Sequence, residues 1–379
     1  MFALPLSFLF GTLASFAALA LLAGGIALLA AAVRGALDPA LAWAGAAMVL
    51  WALGGRCIVM ATFPRGEAPP PAMRGGSGKK IQAPDGSVLH VEFDGPAGAP
   101  AIVLTQGWGM DLRAWQAVRR RLSERYRLLL WDLPGVGRSR PPADGGYSVV
   151  RMAEDLRRVI DEAGQQPVVV VGHGIGGMMI LSLCRLHPDL QGRRVKGIVM
   201  MSAPFASPLA GAAGAGLLRM LRWPLLEPLL LFALLLWPLA WLLSLLGYAS
   251  GFLHLAVRLC AMGRAASREQ VELVVRSGLR NKPAILARGL RAMLRFDESK
   301  TPPRIPVAAR VIGGERDRLV GPATLERLAG MIRGADRIII AGAGHYLPLE
   351  APVQVADAIA ELADRAGAAG RTPERPAQE

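Results

Sequence analysis

Cysteine is scarce in this sequence. The chain of 379 residues has three cysteines, Cys57, Cys184 and Cys260, which are widely spaced and odd in number. It has no C-x-x-C pair, no H-E-x-x-H sequence and no phosphate-binding loop. These absences argue against a disulfide framework, a metal site and a nucleotide site. The sequence therefore predicts no metal and no other cofactor, and its cysteine usage is compatible with a reducing compartment.

Charge is absent from the first 33 residues. No Asp, Glu, Lys or Arg precedes Arg34, and a second apolar stretch, from Pro39 to Phe63, is interrupted only by Arg56. About 20 apolar residues are enough to cross a bilayer as a helix. A cleaved signal peptide is the alternative, but the first segment has no basic n-region and its apolar run is too long. Residues 1–64 are therefore predicted to form a transmembrane helical hairpin.

The flanking charges predict the orientation of this hairpin. The short loop between its two segments holds Arg34 and Asp38, whereas four basic residues follow the second segment, namely Arg65, Arg74, Lys79 and Lys80. Because cytoplasmic loops carry the excess of basic residues, the large domain is expected on the cytoplasmic face of a plasma membrane of the bacterial inner-membrane type. The net charge of +14 fits a surface that faces anionic lipid. Nucleic acid is the alternative partner, but the arginines are scattered and form no recognisable nucleic-acid module.

Residues 168–179, VVVVGHGIGGMM, contain a turn motif without its nucleophile. The β-branched run from Val168 to Val171 predicts a buried strand, and apolar residues up to Leu186 predict a helix after it. The turn between them follows the pattern G-x-S-x-G, with Gly174 in the place of serine. A turn of this kind presents a side-chain oxygen over a helix N-terminus, where the next backbone N–H helps to bind an oxyanion. Gly174 suits the strained backbone but has no oxygen.

Four other segments each contain a predicted strand and the turn or loop that follows it. AIVLTQGWGM, residues 101–110, ends in a glycine turn that resembles an H-G-x-G loop, with Gln106 in the place of histidine. YRLLLWDLPGVGRS, residues 126–139, ends in D-x-P-G-x-G-x-S. VAARVIGGERDRLV, residues 307–320, contains Asp317 after its strand, and RIIIAGAGHYLPLEAP, residues 337–352, contains His345.

In order and spacing these motifs resemble those of the α/β-hydrolase superfamily, from about Lys79 to Arg365. The resemblance implies a mostly parallel twisted sheet flanked by helices. It also implies that Asp317 is the acid and His345 the base of a catalytic site whose nucleophile position is Gly174. The backbone N–H groups of Trp108 and Ile175 are the implied oxyanion hole, and Gln106, Gly107 and His173 are candidate binding residues.

The segment 205–303 lies where this family inserts its cap, and its first half is unusually apolar. Residues 229–246 carry no charge over eighteen positions. A single membrane crossing there would place Asp317 and His345 on the opposite side of the bilayer from Gly174. Pro228 and Pro238 instead favour two short helices, which either enter the cytoplasmic leaflet or pack as an ordinary cap core. The second half, from Ala265 to Phe296, is basic and amphipathic, which fits a solvated helix face or contact with phosphates or carboxylates.

The sequence thus divides into segments of distinct composition: 1–64, two transmembrane helices; 65–78, a linker; 79–204, the first part of the core; 205–303, the cap; 304–365, the second part of the core; and 366–379, a disordered tail.

The sequence leaves two classes of function open. In the first, the His345–Asp317 dyad acts on a hydrophobic acyl ester, acyl thioester or similar lipid-derived substrate, or uses the histidine as the base of a lyase or cofactor-free oxygenase reaction. In the second, the chain is a pseudoenzyme that binds a lipid or protein partner, as the resemblance to N-myc downstream-regulated proteins suggests. A nucleophile relocated to Ser139 or Ser202 is a weaker alternative, because neither serine lies on the turn.

Overall fold

The β-branched and apolar runs form one eight-stranded sheet within the part of the chain that the computed structural model describes, residues 4–66, 78–207, 216, 220 and 222–369. The strands are β1 Gly78–Gln82, β2 Val88–Asp94, β3 Ala101–Thr105, β4 Arg127–Trp131, β5 Val168–His173, β6 Val195–Met201, β7 Ala308–Gly314 and β8 Asp336–Ile340. Their order is β1-β2-β4-β3-β5-β6-β7-β8. β2 is antiparallel to β1 and β4, and every other pair is parallel.

Helices precede the sheet, connect its strands and follow its last strand in the described part of the chain. They are α1 Leu4–Val33, α2 Ala40–Gly54, α3 Arg56–Ala61, α4 Gln116–Leu122, α5 Val149–Asp161, α6 Ile175–Leu186, α7 Glu227–Leu235, α8 Trp237–Ala249, α9 Phe252–Cys260, α10 Arg268–Arg280, α11 Pro283–Leu294, α12 Pro322–Met331, α13 Leu347–Glu350 and α14 Pro352–Ala369. Short helical turns add Leu112–Trp115, Pro188–Leu190, Arg222–Leu226 and Pro302–Arg304.

Helices cover both faces of the central strands. One apolar cluster joins the sheet to α5, α6 and α12, and a second joins its other face to α4 and α14. Because neither face meets water, β3 and β5 are buried along their whole length. Their sequences are therefore continuous apolar runs and do not alternate between apolar and polar residues. This is the predicted α/β-hydrolase architecture, with the carboxyl ends of the parallel strands at one edge.

The first two helices form a close hairpin. Within α1, the 26-residue stretch Phe8–Val33 is long and apolar enough to cross a bilayer. α2 packs against it where Gly25 meets Gly45, since a Cβ on either glycine would lie 2.8 Å from the other's carbonyl oxygen. The second predicted span, Pro39 to Phe63, is not one helix: α2 has 15 residues and ends before Gly55, after which α3 begins. Gly55 interrupts the segment where its backbone approaches the carbonyl of Ser250 in the cap.

The cap comprises α7 to α11 between β6 and β7. Its apolar segment is divided as the prolines predict, because Pro228 and Pro238 each lie in the first turn of a helix, and the two helical stretches are bent by 107° about Leu236. α1 packs against α8 and α9, so the N-terminal hairpin and the cap are in contact. Part of the predicted cap, residues 208–215, 217–219 and 221, lies outside the described residues.

A polar cluster fastens the hairpin to the cap. Arg56 of α3 forms an ion pair of 2.9 Å with Glu272 of α10, and its guanidinium lies over the Tyr248 ring. The Glu272 carboxylate also accepts from the Tyr248 hydroxyl at 2.7 Å and lies 2.8 Å from Nε2 of His254, which is fully buried. A carboxylate with several partners is held more firmly than one in an isolated surface pair. The hairpin therefore has a fixed position relative to the cap.

The predicted disordered tail begins too early. Residues 366–369 continue α14, and Ala366 is buried in the apolar cluster below the sheet, which explains why it is helical. Residues 370–379 lie outside the described residues, as do residues 67–77 of the predicted linker.

Candidate active site

The turn between β5 and α6 is built from three glycines that have different surroundings. A Cβ on Gly172 would lie 2.3 Å from the carbonyl carbon of Gly176, and a Cβ on Gly176 would lie 2.8 Å from the carbonyl oxygen of Thr105. Gly174, between them, has a φ of 55° and a ψ of −114°. A Cβ there would have no neighbour closer than 3.7 Å. Position 174 thus has the positive φ of a tight turn but leaves room for a side chain.

His345 and Asp317 form a buried hydrogen-bonded pair beside this turn. Nδ1 of His345 lies 3.0 Å from Oδ2 of Asp317, whose other oxygen accepts from the backbone N–H groups of Leu319 and Val320. Because the carboxylate accepts from Nδ1–H, the lone pair of the imidazole is on Nε2. That nitrogen is 3.7 Å from the position that a Cβ on Gly174 would occupy. The structure therefore brings together Gly174, Asp317 and His345.

Two backbone N–H groups, one on this turn and one on the neighbouring loop after β3, have no acceptor among the described residues. They belong to Trp108, after β3, and Ile175, the first residue of α6. The preceding N–H, that of Gly174, donates to the carbonyl of Met201 at 2.9 Å. The indole of Trp108 is held separately, since its Nε1–H donates to the Leu286 carbonyl at 3.0 Å. Free N–H groups at a helix N-terminus are suited to binding an anionic oxygen.

Glu350 holds the loop that carries His345, a role that sequence reasoning missed. Its carboxylate accepts from the N–H groups of Gly344 and Tyr346, at 2.9 Å each, and from Gly263 of the cap at 2.7 Å. Burial raises the pKa of this carboxyl, although these three hydrogen bonds oppose the shift. The sequence signal that could have indicated this role is an acidic residue five positions after the histidine. Glu350 thus positions His345 between core and cap.

His173 supports the same loop from the other side. Its Nε2–H donates to the carbonyl of His345 at 2.8 Å, and the two rings are 4.9 Å apart between centroids. The ring also contacts Gly107 and lines the cavity described below. Burial, followed by the proximity of His345, lowers the pKa of His173 to about 3, so the ring is neutral.

We expect acid to destabilise the protein through His173. Between its folded pKa of about 3 and its ordinary value of 6.5, the unfolded chain binds a proton that the folded chain does not. The stabilisation is therefore complete above pH 6.5 and is lost as the pH falls toward 3. Thermal unfolding across this range should show a flatter pH dependence for His173→Asn, which keeps an N–H donor without titrating. Parallel curves for the two proteins would contradict this assignment.

The remaining predicted residues have different surroundings. Gln106 is fully buried, and its amide has no partner among the described residues, but it does not line the cavity as Gly107 does. Gln106 was predicted to bind ligand, yet its side chain is covered in this structure. Ser139 is engaged in the turn after β4, donating to the Asp132 carbonyl at 2.7 Å. Ser202 is also fully buried, with a φ of 47°, so neither serine reaches the cavity.

A cavity of about 280 Å³ opens above Gly174 and His345. Most of its wall is apolar and comes from the cap, including Leu229, Phe232, Leu243, Leu286 and Met293. Helix α1 also contributes to it, through Phe8, Gly11, Thr12 and Ser15. A mostly apolar cavity with a few convergent polar groups at one place is typical of a small-molecule binding site.

Comparison with known proteins agrees with the fold. A family model described as the alpha/beta hydrolase fold matches residues 100–352. The pimeloyl-[acyl-carrier protein] methyl ester esterase of Xanthomonas axonopodis pv. citri is 28% identical over 277 residues, which are 72% of this chain and 97% of that enzyme. The proposed carbamate hydrolase RutD of Variovorax paradoxus is 34% identical over 116 residues, or 30% of this chain. That match covers only 42% of the relative's own length.

Solved structures show the same architecture. A thermophilic esterase from Thermogutta terrifontis superposes with a TM-score of 0.61 and 21% identity, over 77% of this chain and 99% of that one. A membrane phospholipase A superposes with a TM-score of 0.60 and 20% identity, over 90% of this chain and 97% of that one. At this level of identity the likeness establishes the fold.

Proposed function

Because the chain belongs to the alpha/beta hydrolase fold family, we propose that it is a membrane-anchored hydrolase of hydrophobic acyl esters or thioesters in which water takes the place of the serine nucleophile. The observation that carries this proposal is the intact pair of His345 and Asp317, with Nε2 of His345 facing the open space above Gly174. A matching relative that acts on a methyl ester supports the choice of the ester class.

The geometry supports hydrolysis by direct attack of water, without an acyl-enzyme. A water molecule in the space left by the absent side chain donates a proton to Nε2 of His345, while its oxygen attacks the acyl carbon. The developing oxyanion accepts hydrogen bonds from the N–H groups of Trp108 and Ile175. When the tetrahedral intermediate collapses, the acyl C–O or C–S bond breaks, and the protonated His345 gives its proton to the leaving group. Asp317 keeps the imidazole in the required tautomer throughout.

The apolar surface of the hairpin and cap supports the membrane anchor. Large side chains on both remain exposed, such as Trp43 at 81%, Leu50 at 71%, Trp223 at 73% and Leu235 at 69%. Patches of this kind on a soluble protein are unfavourable in water, but a bilayer covers them. We infer that α1 and α2 insert in the plasma membrane and that the bent pair α7–α8 lies in its cytoplasmic leaflet. The basic residues after the hairpin then face anionic lipid headgroups from the cytoplasmic side.

Hydrolysis by detergent-purified protein tests the proposal. Nitrophenyl esters and acyl thioesters of increasing chain length should be turned over, with faster rates for chains that fill the apolar cavity. His345→Ala removes the general base and should lower kcat/KM by about 10²–10⁴. The substituted protein should keep the melting temperature of the parent to within a few degrees, which separates a loss of chemistry from a loss of folding. Equal rates for the two proteins would overturn the assignment of His345.

The absence of a side chain at Gly174 favours a second candidate, a lipid-binding protein without turnover. Loss of a serine nucleophile commonly removes several orders of magnitude in rate. If neither protein hydrolyses any ester while both bind the same acyl chains, this second candidate is correct.

A further inference from the structure

Helix α1 forms part of the cavity wall as well as the proposed anchor. Phe8, Gly11, Thr12 and Ser15, spaced by three and four residues, lie on one side of the helix and line the cavity that contains Gly174 and His345. Other side chains of the same helix, Leu13 and Leu19, are exposed at 45% and 39%. The helix therefore has one face toward the cavity and another toward its surroundings.

Close contacts with the cap fix this wall. A Cβ on Gly247 of α8 would lie 2.7 Å from Oγ of Ser15, and the rings of Phe16 and Phe232 are 6.0 Å apart between centroids. The ion pair of Arg56 and Glu272 ties the other arm of the hairpin to the cap. With both arms attached, α1 keeps its position beside the cavity.

The chemistry of the wall suits hydrocarbon. Thr12 donates its hydroxyl to the Phe8 carbonyl at 2.9 Å, and Ser15 donates to the Gly11 carbonyl at the same distance. Their hydroxyl donors are therefore satisfied within the helix, so neither side chain has a free donor to place in the cavity. The adjoining cap residues, such as Phe232 and Leu253, are apolar.

We propose that this face of α1 is the binding subsite for the hydrocarbon tail of the ligand and that Gly11 sets the length of tail the cavity accepts. The proposal rests on the proposed acyl substrate but does not require its hydrolysis. A Cβ on Gly11 would meet a single neighbouring atom, Cδ2 of Leu253, at an ordinary contact distance of 3.6 Å. A larger side chain at this position therefore extends into the cavity without displacing backbone.

Displacement of a fluorescent polyene fatty acid, cis-parinaric acid, measures binding without turnover. Saturated fatty acids of increasing chain length are titrated against the full-length protein in detergent, beside Gly11→Ala and Gly11→Leu. Each methylene that no longer fits weakens binding about fourfold. We expect Gly11→Leu to weaken the longest accepted chain at least about tenfold, to leave short chains unchanged, and Gly11→Ala to fall between. Leu13→Phe, which adds volume on the exposed face, is the matched control and should match the parent.

The outcomes separate this inference from the proposed function. A shift of the preferred length toward shorter chains in Gly11→Leu, with no ester hydrolysis by any variant, would support the subsite while refuting the hydrolase. Unchanged length preference in both Gly11 variants would overturn the subsite, even if the parent hydrolyses esters. Equal shifts in Gly11→Leu and Leu13→Phe would also overturn it, because the effect would then not depend on the cavity face. Gly11→Ala keeps the test valid if the leucine variant folds poorly, since alanine favours helix.

Discussion

Gly174→Ser is expected to create a covalent nucleophile in a site that is otherwise assembled. The new Cβ would lie 3.7 Å from Nε2 of His345, with nothing closer, so a hydroxyl on it comes within reach of the base. The imidazole then activates the serine, and the N–H groups of Trp108 and Ile175 are placed for the oxyanion. We expect ester turnover to rise at least about 10²-fold and to pass through an acyl-enzyme. Labelling by an alkyl fluorophosphonate, seen as added mass at residue 174, measures the new reactivity directly.

Two controls isolate the hydroxyl in that experiment. Gly174→Ala carries the same backbone strain, of about 1–2 kcal/mol for a side chain at positive φ, but has no oxygen to react. Gly174→Ser combined with His345→Ala has the oxygen but no base. Neither should be labelled or gain turnover. If Gly174→Ser itself remains unlabelled while its melting temperature matches that of Gly174→Ala, then the dyad is not aligned as the structure shows.

Gly172→Ala, two residues earlier, is expected to disrupt folding of the turn. Its Cβ would lie 2.3 Å from the carbonyl carbon of Gly176 and 2.5 Å from the nitrogen of Gly177, both of which are backbone atoms at the start of α6. Relief of that overlap requires the strand and the helix to separate in the middle of the core. We expect a loss of stability of at least about 3 kcal/mol, which places it among the most damaging single changes.

Thermal unfolding of the detergent-purified proteins compares Gly172→Ala with Gly174→Ala. The two variants carry the same added methyl group, but only the first meets backbone atoms, so the first should lose much more stability or fail to accumulate. Similar melting temperatures would show that the turn is looser than its glycine contacts indicate.

The turn and the dyad could be predicted because their signals are local. The run from Val168 to Val171 specifies a strand, and Gly172 and Gly176 after it permit a tight turn, because a Cβ on either glycine would meet backbone atoms. Asp317 and His345 each follow a strand, and parallel strands bring their carboxyl ends to one edge of the sheet. Local pattern placed each residue after a strand, and the resemblance to the α/β-hydrolase superfamily supplied the arrangement that brings the three residues together.

The rest depended on contacts between distant parts of the chain. No feature of the α1 sequence indicates that Gly11 and Ser15 line the same cavity as His345. The sequence of an apolar helix has the same pattern whether the helix faces lipid or protein. The carboxylate of Glu350 reaches Gly263, 87 positions earlier, through a hydrogen bond that has no sequence pattern. The burial of Gln106 was missed for the same reason, because its place in the loop after β3 suggested a binding residue while the surrounding chain covers it.

Arg56 and Glu272 are 216 positions apart, so the hairpin is synthesised well before the cap to which it is fastened. At about 5–20 residues per second, the delay during translation is roughly 10–45 s. Under the membrane insertion proposed above, the side of α1 that later faces the cavity spends this interval against lipid tails. The cap must displace those tails, or enclose one, when it docks. Newly synthesised protein, purified under gentle conditions, should therefore be examined for lipid that the cavity enclosed when the cap docked.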